Sequence, residues 1–467
     1  MNLSELSHLL QSPLTPSSAE NLTYQDVSID TRTLQPGNLF VAIKGENFDG
    51  HDFIQEAEKK GAVAVIVNHA CETTPGSAVG WAKDPAAFAG DVPTMPALKV
   101  ENTIHALGKL SSHHRDQFHI PVIGITGSCG KTTTRALTAS ILQQCGQTLF
   151  SESSFNNDIG MPLTLLRLQE KDQYAVIEMG TNHFGEMSYL THIVKPTVAM
   201  IINAAAVHLE GFGSVAGVCK AKGEIFEGLT PDGTAILNAD DAHFEDWKKM
   251  IGSRKLLTFS MTQPTDIYAK DISLTPEGKP VFTLVTPQGE TQIHLPLLGR
   301  HNINNALAAA AVAYAVDAQL AAIKTGLEKT TAVKRRLNHH QLPNGVELID
   351  DSYNASPLAV QAAIDILAQR PGEKILVLGD MRELGDHTDS AHEQIGEYAR
   401  KAGIDFLYTY GTATALTSKA FGEKAQHFTD QAPLIASLKT NTRSGTSVLV
   451  KGSFSMKMGQ VVQALLS

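Results

Sequence analysis

Cysteine is scarce in this sequence: there are four among 467 residues, at positions 71, 129, 145 and 219, with no C-x-x-C pair. Such scattered thiols suggest neither a zinc site nor a disulfide framework, and they suit a reducing cytoplasm. Positive charge is in deficit too, with 38 Lys and Arg against 48 Asp and Glu and a formal net charge of -10. This balance argues against a general nucleic-acid binder and leaves any anion site to a few placed groups. Long apolar runs are missing as well. Met1 to Leu10 has neither the basic start nor the apolar stretch of a signal peptide. The most apolar helical segment, Ala306 to Val316, is interrupted by Asp317 well short of the roughly 20 residues that span a bilayer. No membrane insertion and no nucleic-acid partner are expected, and the expected location is the cytoplasm.

What is present is an ordinary globular composition, 42% hydrophobic and 18% charged, in a chain too long for one core; about two to four domains is the prior. Three α/β domains are expected, at residues 1–100, 101–329 and 330–467. The first mixes short β-rich runs, Asn38 to Lys44 and Ala62 to Val67, around a helical Asp52 to Lys60. Ser28, Thr31 and Arg32, with Lys44 and Gly45 in a later glycine turn, are the kinds of groups that hold a sugar nucleotide; a set of satisfied turns is the plainer alternative. Thr73 to Pro96, rich in Gly, Ala and Pro, reads as loop and linker.

The sharpest local signal is Pro121 to Thr134, an apolar strand followed by Thr126-Gly127-Ser128-Cys129-Gly130-Lys131-Thr132-Thr133. Glycines let the turn aim several backbone N–H groups at one point, the following helix adds its positive end, Lys131 can neutralise β- and γ-phosphates, and the Thr132 hydroxyl is placed for Mg2+. The loop is shorter than G-x-x-x-x-G-K-[ST]. Downstream, Tyr174 to Gly180 predicts a buried strand ending in Glu178, where a second Mg2+ ligand belongs, although a strand-capping role is also open. His208 follows the next strand, Val198 to Asn203, along the same edge. From Ser214 to Leu229, apolar residues recur at helical spacing and Lys222 falls inside the apolar stripe. Desolvated there, its amine could act as a base or add carbon dioxide to become a carbamate; a stem that packs while the head reaches water is the alternative. Asn156 and Asn157 could hold an acceptor substrate or merely shape a turn. Asn302 could cap a long Ala-rich helix, Ala306 to Ala322, or meet an adenine edge.

Beyond Lys334-Arg335-Arg336 the alternation of strands and helices predicts a doubly wound, Rossmann-like parallel sheet. No G-x-G-x-x-G follows its first strand, so NAD is not indicated. Asp350-Asp351-Ser352-Tyr353-Asn354, Gly379 to Gly385 and Lys451-Gly452-Ser453 each close a strand, and three such loops at strand ends favour a binding face.

Taken together, S-x-D-T-R, P-G-N-L-F-V-A, T-G-S-C-G-K-T-T-T, N-N-D-I-G-M-P, E-M-G, N-A-A-A-V-H, A-K-G-E-I-F, G-R-H-N-I-N-N-A, D-D-S-Y-N-A-S-P, G-D-M-R-E-L-G and K-G-S, in that order, resemble the Mur ligases of bacterial cell-wall synthesis, in the branch that adds D-alanyl-D-alanine. The resemblance implies an N-terminal domain for a UDP-sugar, a central P-loop ATPase-like domain and a C-terminal domain for the amino substrate. It implies ATP and Mg2+ as cofactors, UDP-N-acetylmuramoyl-tripeptide and D-Ala-D-Ala as substrates, an acyl-phosphate route to the amide, and a monomer. On this mapping Thr132, Glu178, His208 and a carbamylated Lys222 serve the metal. Asn302, Arg336 and Asp351 serve the nucleotide. Ser28, Thr31, Arg32, Lys44 and Gly45 serve UDP, with Asn156, Asn157, Asn354, Lys451 and Ser453 nearer the substrates. Another ligase of the superfamily, acting on diaminopimelate, lysine or folate, and a nucleotide-driven switch are the competing readings. Two positions depart from the family pattern: Arg335 stands where a glycine is usual, and Phe454 where an arginine often follows Lys-Gly-Ser.

Overall fold

A computed structural model describes residues 1–45, 47–68, 95–152 and 155–467. Cys71 and nearly all of the Thr73 to Pro96 stretch fall outside them. The chain forms two compact units, Met1–Ile120 with Ser154–Glu170 and His192–Val194, and the remainder.

The first unit carries strands β1 (Leu14–Thr15), β2 (Val27–Ser28), β3 (Leu39–Val41), β4 (Ala64–Val67) and β5 (Ala97–Lys99), ordered β1-β5-β4-β3-β2 and parallel except for β1. Its central strands are apolar at every position because both faces are covered. Leu39, Val41, Ala64 and Ile66 pack with Leu3, Leu6 and Leu110 on one side. Phe40, Val65 and Val67 pack with Ile54 and Ala57 on the other. The helix Thr103–Arg115, capped by Asn102, belongs to this unit, as does the helix Gly160–Leu165.

The second unit holds two sheets. The larger comprises β6 (Val122–Thr126), β7 (Thr148–Phe150), β8 (Tyr174–Glu178), β9 (Val198–Ile201), β10 (Thr234–Asn238), β11 (Lys255–Ser260), β12 (Ile267–Leu274), β13 (Pro280–Thr286) and β14 (Gly289–His294), ordered β14-β13-β12-β11-β10-β9-β6-β8-β7. Pairing is parallel from β7 to β12 and antiparallel across β12, β13 and β14. The helix His301–Ala315 lies in its core with Ala306, Ala308, Ala309, Ala310 and Ala311 fully buried, their small side chains allowing it close to the helix Lys131–Leu142. The single long helix expected over Ala306 to Ala322 is instead two, His301–Ala315 and Leu320–Lys329. The chain turns at Asp317, whose φ of 62° is left-handed.

The smaller sheet comprises β15 (Asn338–Gln341), β16 (Glu347–Asp351), β17 (Glu373–Gly379), β18 (Phe406–Tyr410), β19 (Ala425–Phe428) and β20 (Thr446–Lys451), ordered β15-β16-β20-β17-β18-β19, parallel but for β15. The final strand β20 inserts between β16 and β17, and the helix that follows it, Gly459–Leu466, packs on the opposite face from the helices that follow β16 and β17. The three loops singled out in the sequence therefore emerge side by side at a topological switch point, the place where ligands of such sheets collect. No helix among the described residues is long and apolar enough to cross a membrane.

Candidate active site

In the larger sheet β6 lies between β8 and β9, so the loop Gly127 to Gly130 opens with Glu178 on one flank and Asn203 on the other. Asn203 shapes that loop. Its side-chain oxygen accepts from Cys129 N (2.9 Å), its amide donates to Cys129 O (3.1 Å), and its carbonyl accepts from Ser128 N (3.0 Å). Gly130 has φ +85°, and a Cβ there would strike the Asn305 side chain, so only glycine lets the helix Lys131–Leu142 start at this point. The Lys131 ammonium donates to Gly127 O (2.6 Å). Burial lowers its pKa, and Arg336 adds to that while Glu178 opposes it.

Glu178 is 1% exposed. It accepts from Thr132 Oγ1 (3.3 Å), and Arg135 Nε lies 3.5 Å from its other oxygen. Arg135 stands one turn beyond Lys131 on the same helix and also donates to Ser151 O. Sequence reading missed both Asn203 and Arg135. A cation four residues beyond the P-loop lysine and an amide at a strand terminus were the available signals. Arg336 donates to Thr132 Oγ1 (3.1 Å) and lies over the Tyr353 ring at 4.4 Å.

Lys222, on the helix Val215–Gly223, is 1% exposed, which excludes a head in water. Burial pushes its pKa well below the usual lysine range, and the nearby Lys131 charge adds to the effect. Lys220, two residues earlier, is exposed and sits over Phe184. His208 has a left-handed backbone, and its Nδ1 pairs with Glu383 from the loop after β17. The Glu383 carboxyl is held below its usual pKa chiefly by that histidine.

A cavity of about 1180 Å³ opens beside the loop, lined by Cys129, Gly130, Thr133, Asn302, Arg336, Asp351 and Lys451 among others. Asn302 is buried at the second position of its helix. Its amide donates to Leu298 O (2.7 Å) and its oxygen accepts from Asn305 (2.8 Å), so the helix is not capped by it. Lys451 joins Asp351 (2.5 Å) and Asn354 O (2.9 Å). Ser453 Oγ accepts from Arg382 N (2.9 Å).

In the first unit, Asp30 gathers Ser28 and Arg32: Arg32 forks onto its carboxylate (2.6 Å) and Ser28 Oγ donates to its carbonyl (3.1 Å). Thr31 is buried, its carbonyl taken by Lys60 (2.8 Å). Lys44 and Gly45 follow β3, which pairs in parallel with β2, so both groups leave the same end of neighbouring strands. Asn157 accepts from Gly160 N (2.9 Å) at the start of a helix, beside Asn156.

Arg335 takes the glycine's backbone geometry itself, with φ +64°. Its guanidinium donates to Ser352 Oγ (3.1 Å) and Ser352 O (2.6 Å), in space left by the missing side chain of Gly459. An Arg335→Ala variant keeps the left-handed strain and loses both hydrogen bonds. It should unfold at lower denaturant than Arg335→Gly, by about 1 kcal/mol in chemical unfolding. Phe454 is exposed and tilts against Tyr353 at 5.8 Å.

Residues 23–115 match the Mur ligase family, catalytic domain; 125–313 match the Mur ligase middle domain; and 335–454 match the Mur ligase, glutamate ligase domain. The chain is 44% identical to the UDP-N-acetylmuramoyl-tripeptide--D-alanyl-D-alanine ligase of Escherichia coli (strain K12), with 100% of this chain and 98% of that one covered. It is 41% identical to the enzyme of the same name from Haemophilus influenzae, covering 99% and 97%. Among solved structures, MurF from Acinetobacter baumannii superposes with a TM-score of 0.89 at 33% identity, covering 100% and 98%. MurF from Thermotoga maritima in complex with ADP gives 0.80 at 26%, covering 95% and 97%. With all three domains matched in order and full-length relatives above the level at which kinship is in question, the chain belongs to the Mur ligase family.

Proposed function

We propose that this chain is an ATP-dependent amide ligase that adds D-Ala-D-Ala to UDP-N-acetylmuramoyl-tripeptide in peptidoglycan synthesis, working in the cytoplasm. The observation that carries the reading is the P-loop itself: Thr132 joins both Glu178 and Arg336, and Arg336 lines one cavity together with Cys129, Gly130 and Thr133 of the loop. Residues 1–100 take the UDP-sugar, 101–329 take ATP, and 330–467 take the dipeptide.

The substrate carboxylate attacks the γ-phosphorus, and the bond to the bridging oxygen of ADP breaks. The dipeptide amine then attacks the acyl carbon, phosphate departs with the bonding electrons, and the amine gives up a proton as the amide forms. Lys131 and the loop amides hold the charge that builds on the transferring group, and Arg336 supplies a second cation beside Thr132. Asn302 meets adenine from the cavity wall. Asp351, braced by Lys451, reaches the ribose, while Asn354 and Ser453 border the amine side.

The Thr132 hydroxyl and the buried Glu178 carboxylate, hard oxygen donors within 3.3 Å of one another, fit Mg2+. His208 and a carbamate on Lys222 would complete its surroundings, and the ion would offset phosphate charge there. Lys222 suits carbamate formation: a neutral nitrogen bonds to carbon dioxide and releases a proton to solvent. His208 must leave Glu383 to take part.

Phosphate release should require both UDP-muramoyl tripeptide and D-Ala-D-Ala, with mass analysis showing the tripeptide product heavier by one dipeptide less water. ATP hydrolysis without that product is the result expected of a nucleotide switch and would overturn the assignment.

A further inference from the structure

Away from the cavity, three side chains of different ligand type converge. Cys219 comes from the helix Val215–Gly223, and His243 and Asp246 from the start of the helix Phe244–Ile251; their donor atoms all lie within 4.8 Å of one another. His243 Nδ1 and Asp246 Oδ2 are already 3.2 Å apart. That approaches an edge of a tetrahedron built on bonds of about 2.0–2.3 Å. Cys219 is 4% exposed, and among the described residues its sulfur makes no hydrogen bond. A buried, unpartnered thiol facing an imidazole and a carboxylate is more than close packing requires.

The two helices are fixed to one another independently of any ion. Trp247, fully buried, donates its indole N–H to Cys219 O (3.0 Å). Only side-chain adjustment is then needed to close a site, and both outer ligands have room for it: the His243 and Asp246 side chains are 21% and 59% exposed. Sulfur, imidazole and a single carboxylate form a soft set that favours zinc-like ions over magnesium.

We propose that Cys219, His243 and Asp246 form a site for a thiophilic divalent transition-metal ion of the zinc type, with water in the fourth position. On binding, the thiol releases its proton to solvent as the sulfur–metal bond forms, and no group changes oxidation state. Cys219 lies three residues before Lys222, one turn along the same helix, so the ion cross-links the lysine-bearing helix to the Trp247 helix.

The probe is Co2+, added to metal-stripped full-length protein with Mg2+ present. One equivalent should produce a thiolate-to-cobalt charge-transfer band that Zn2+ abolishes by displacement. Cys219→Ser should remove the band while Mg2+-dependent ligation, assayed without Co2+ or Zn2+, is unchanged. Absence of the band in wild type, or a band that survives Cys219→Ser and so arises from another cysteine, overturns the proposal. Should Cys219→Ser not fold, His243→Gln at a partly exposed position replaces it. That variant should weaken Co2+ binding by more than about tenfold, since even outer-shell partners of a metal are worth that much. Unchanged affinity overturns the site.

Discussion

Lys131→Ala should lower kcat by roughly 10³-fold, the scale on which losing one preorganised charge in a transition-state cradle is felt. The protein should remain folded, with circular dichroism and thermal midpoint close to wild type. The loop does not depend on the lysine for its shape, because Asn203 fixes Ser128 and Cys129 from the β9 side and Gly130 sets the helix start. Among the described residues Lys131 itself bonds only loop carbonyls, Gly127 O and Ser128 O. Its removal takes away one ammonium from the loop and little of the packing. A wild-type rate in this variant would remove the basis for placing ATP at the loop.

Lys222→Met should separate activity from stability in opposite directions. The lysine is 1% exposed and its burial cost falls on the charged form, so an apolar residue of similar length should leave the thermal midpoint unchanged or raise it. Turnover should nevertheless fall by on the order of 10²-fold or more if a group at this position acts in the phosphoryl and acyl steps. In 13C-bicarbonate the wild-type protein should show a carbamate resonance that the variant lacks. A variant that is stabilised and fully active would make Lys222 a packing residue.

The parts of the molecule legible in the sequence are those where one local constraint decides. The loop between β6 and its helix is announced by glycine, lysine and threonine spacing. The parallel strands of the smaller sheet are announced by apolar runs, with Phe406–Tyr410 matching in both boundaries. The antiparallel β12, β13 and β14 were not legible, because few of their residues are buried on both faces and polar residues interrupt each run, as in β12, where Ile267 alone is fully buried. Nor were β19 and the helices Thr414–Phe421 and Gln431–Asn441, whose buried positions are few. Site partners drawn from distant segments were also hidden. Arg135 against Glu178 and His208 against Glu383 are pairs made by sheet order and domain packing, and neither leaves a spacing to read. The Cys219, His243 and Asp246 group is another case, since its members sit on two helices and escape any search for paired cysteines.

Arg335 carries a mechanical consequence. With its guanidinium anchored on Ser352 and its carbonyl accepting from Tyr353 N (3.2 Å), the connecting peptide is riveted to the lobe of the smaller sheet up to this residue. Any swing that brings the two lobes of the second unit together must therefore pivot upstream, in the short span from Thr330 to Lys334, and Arg336 travels with the lobe of the smaller sheet as a fixed finger.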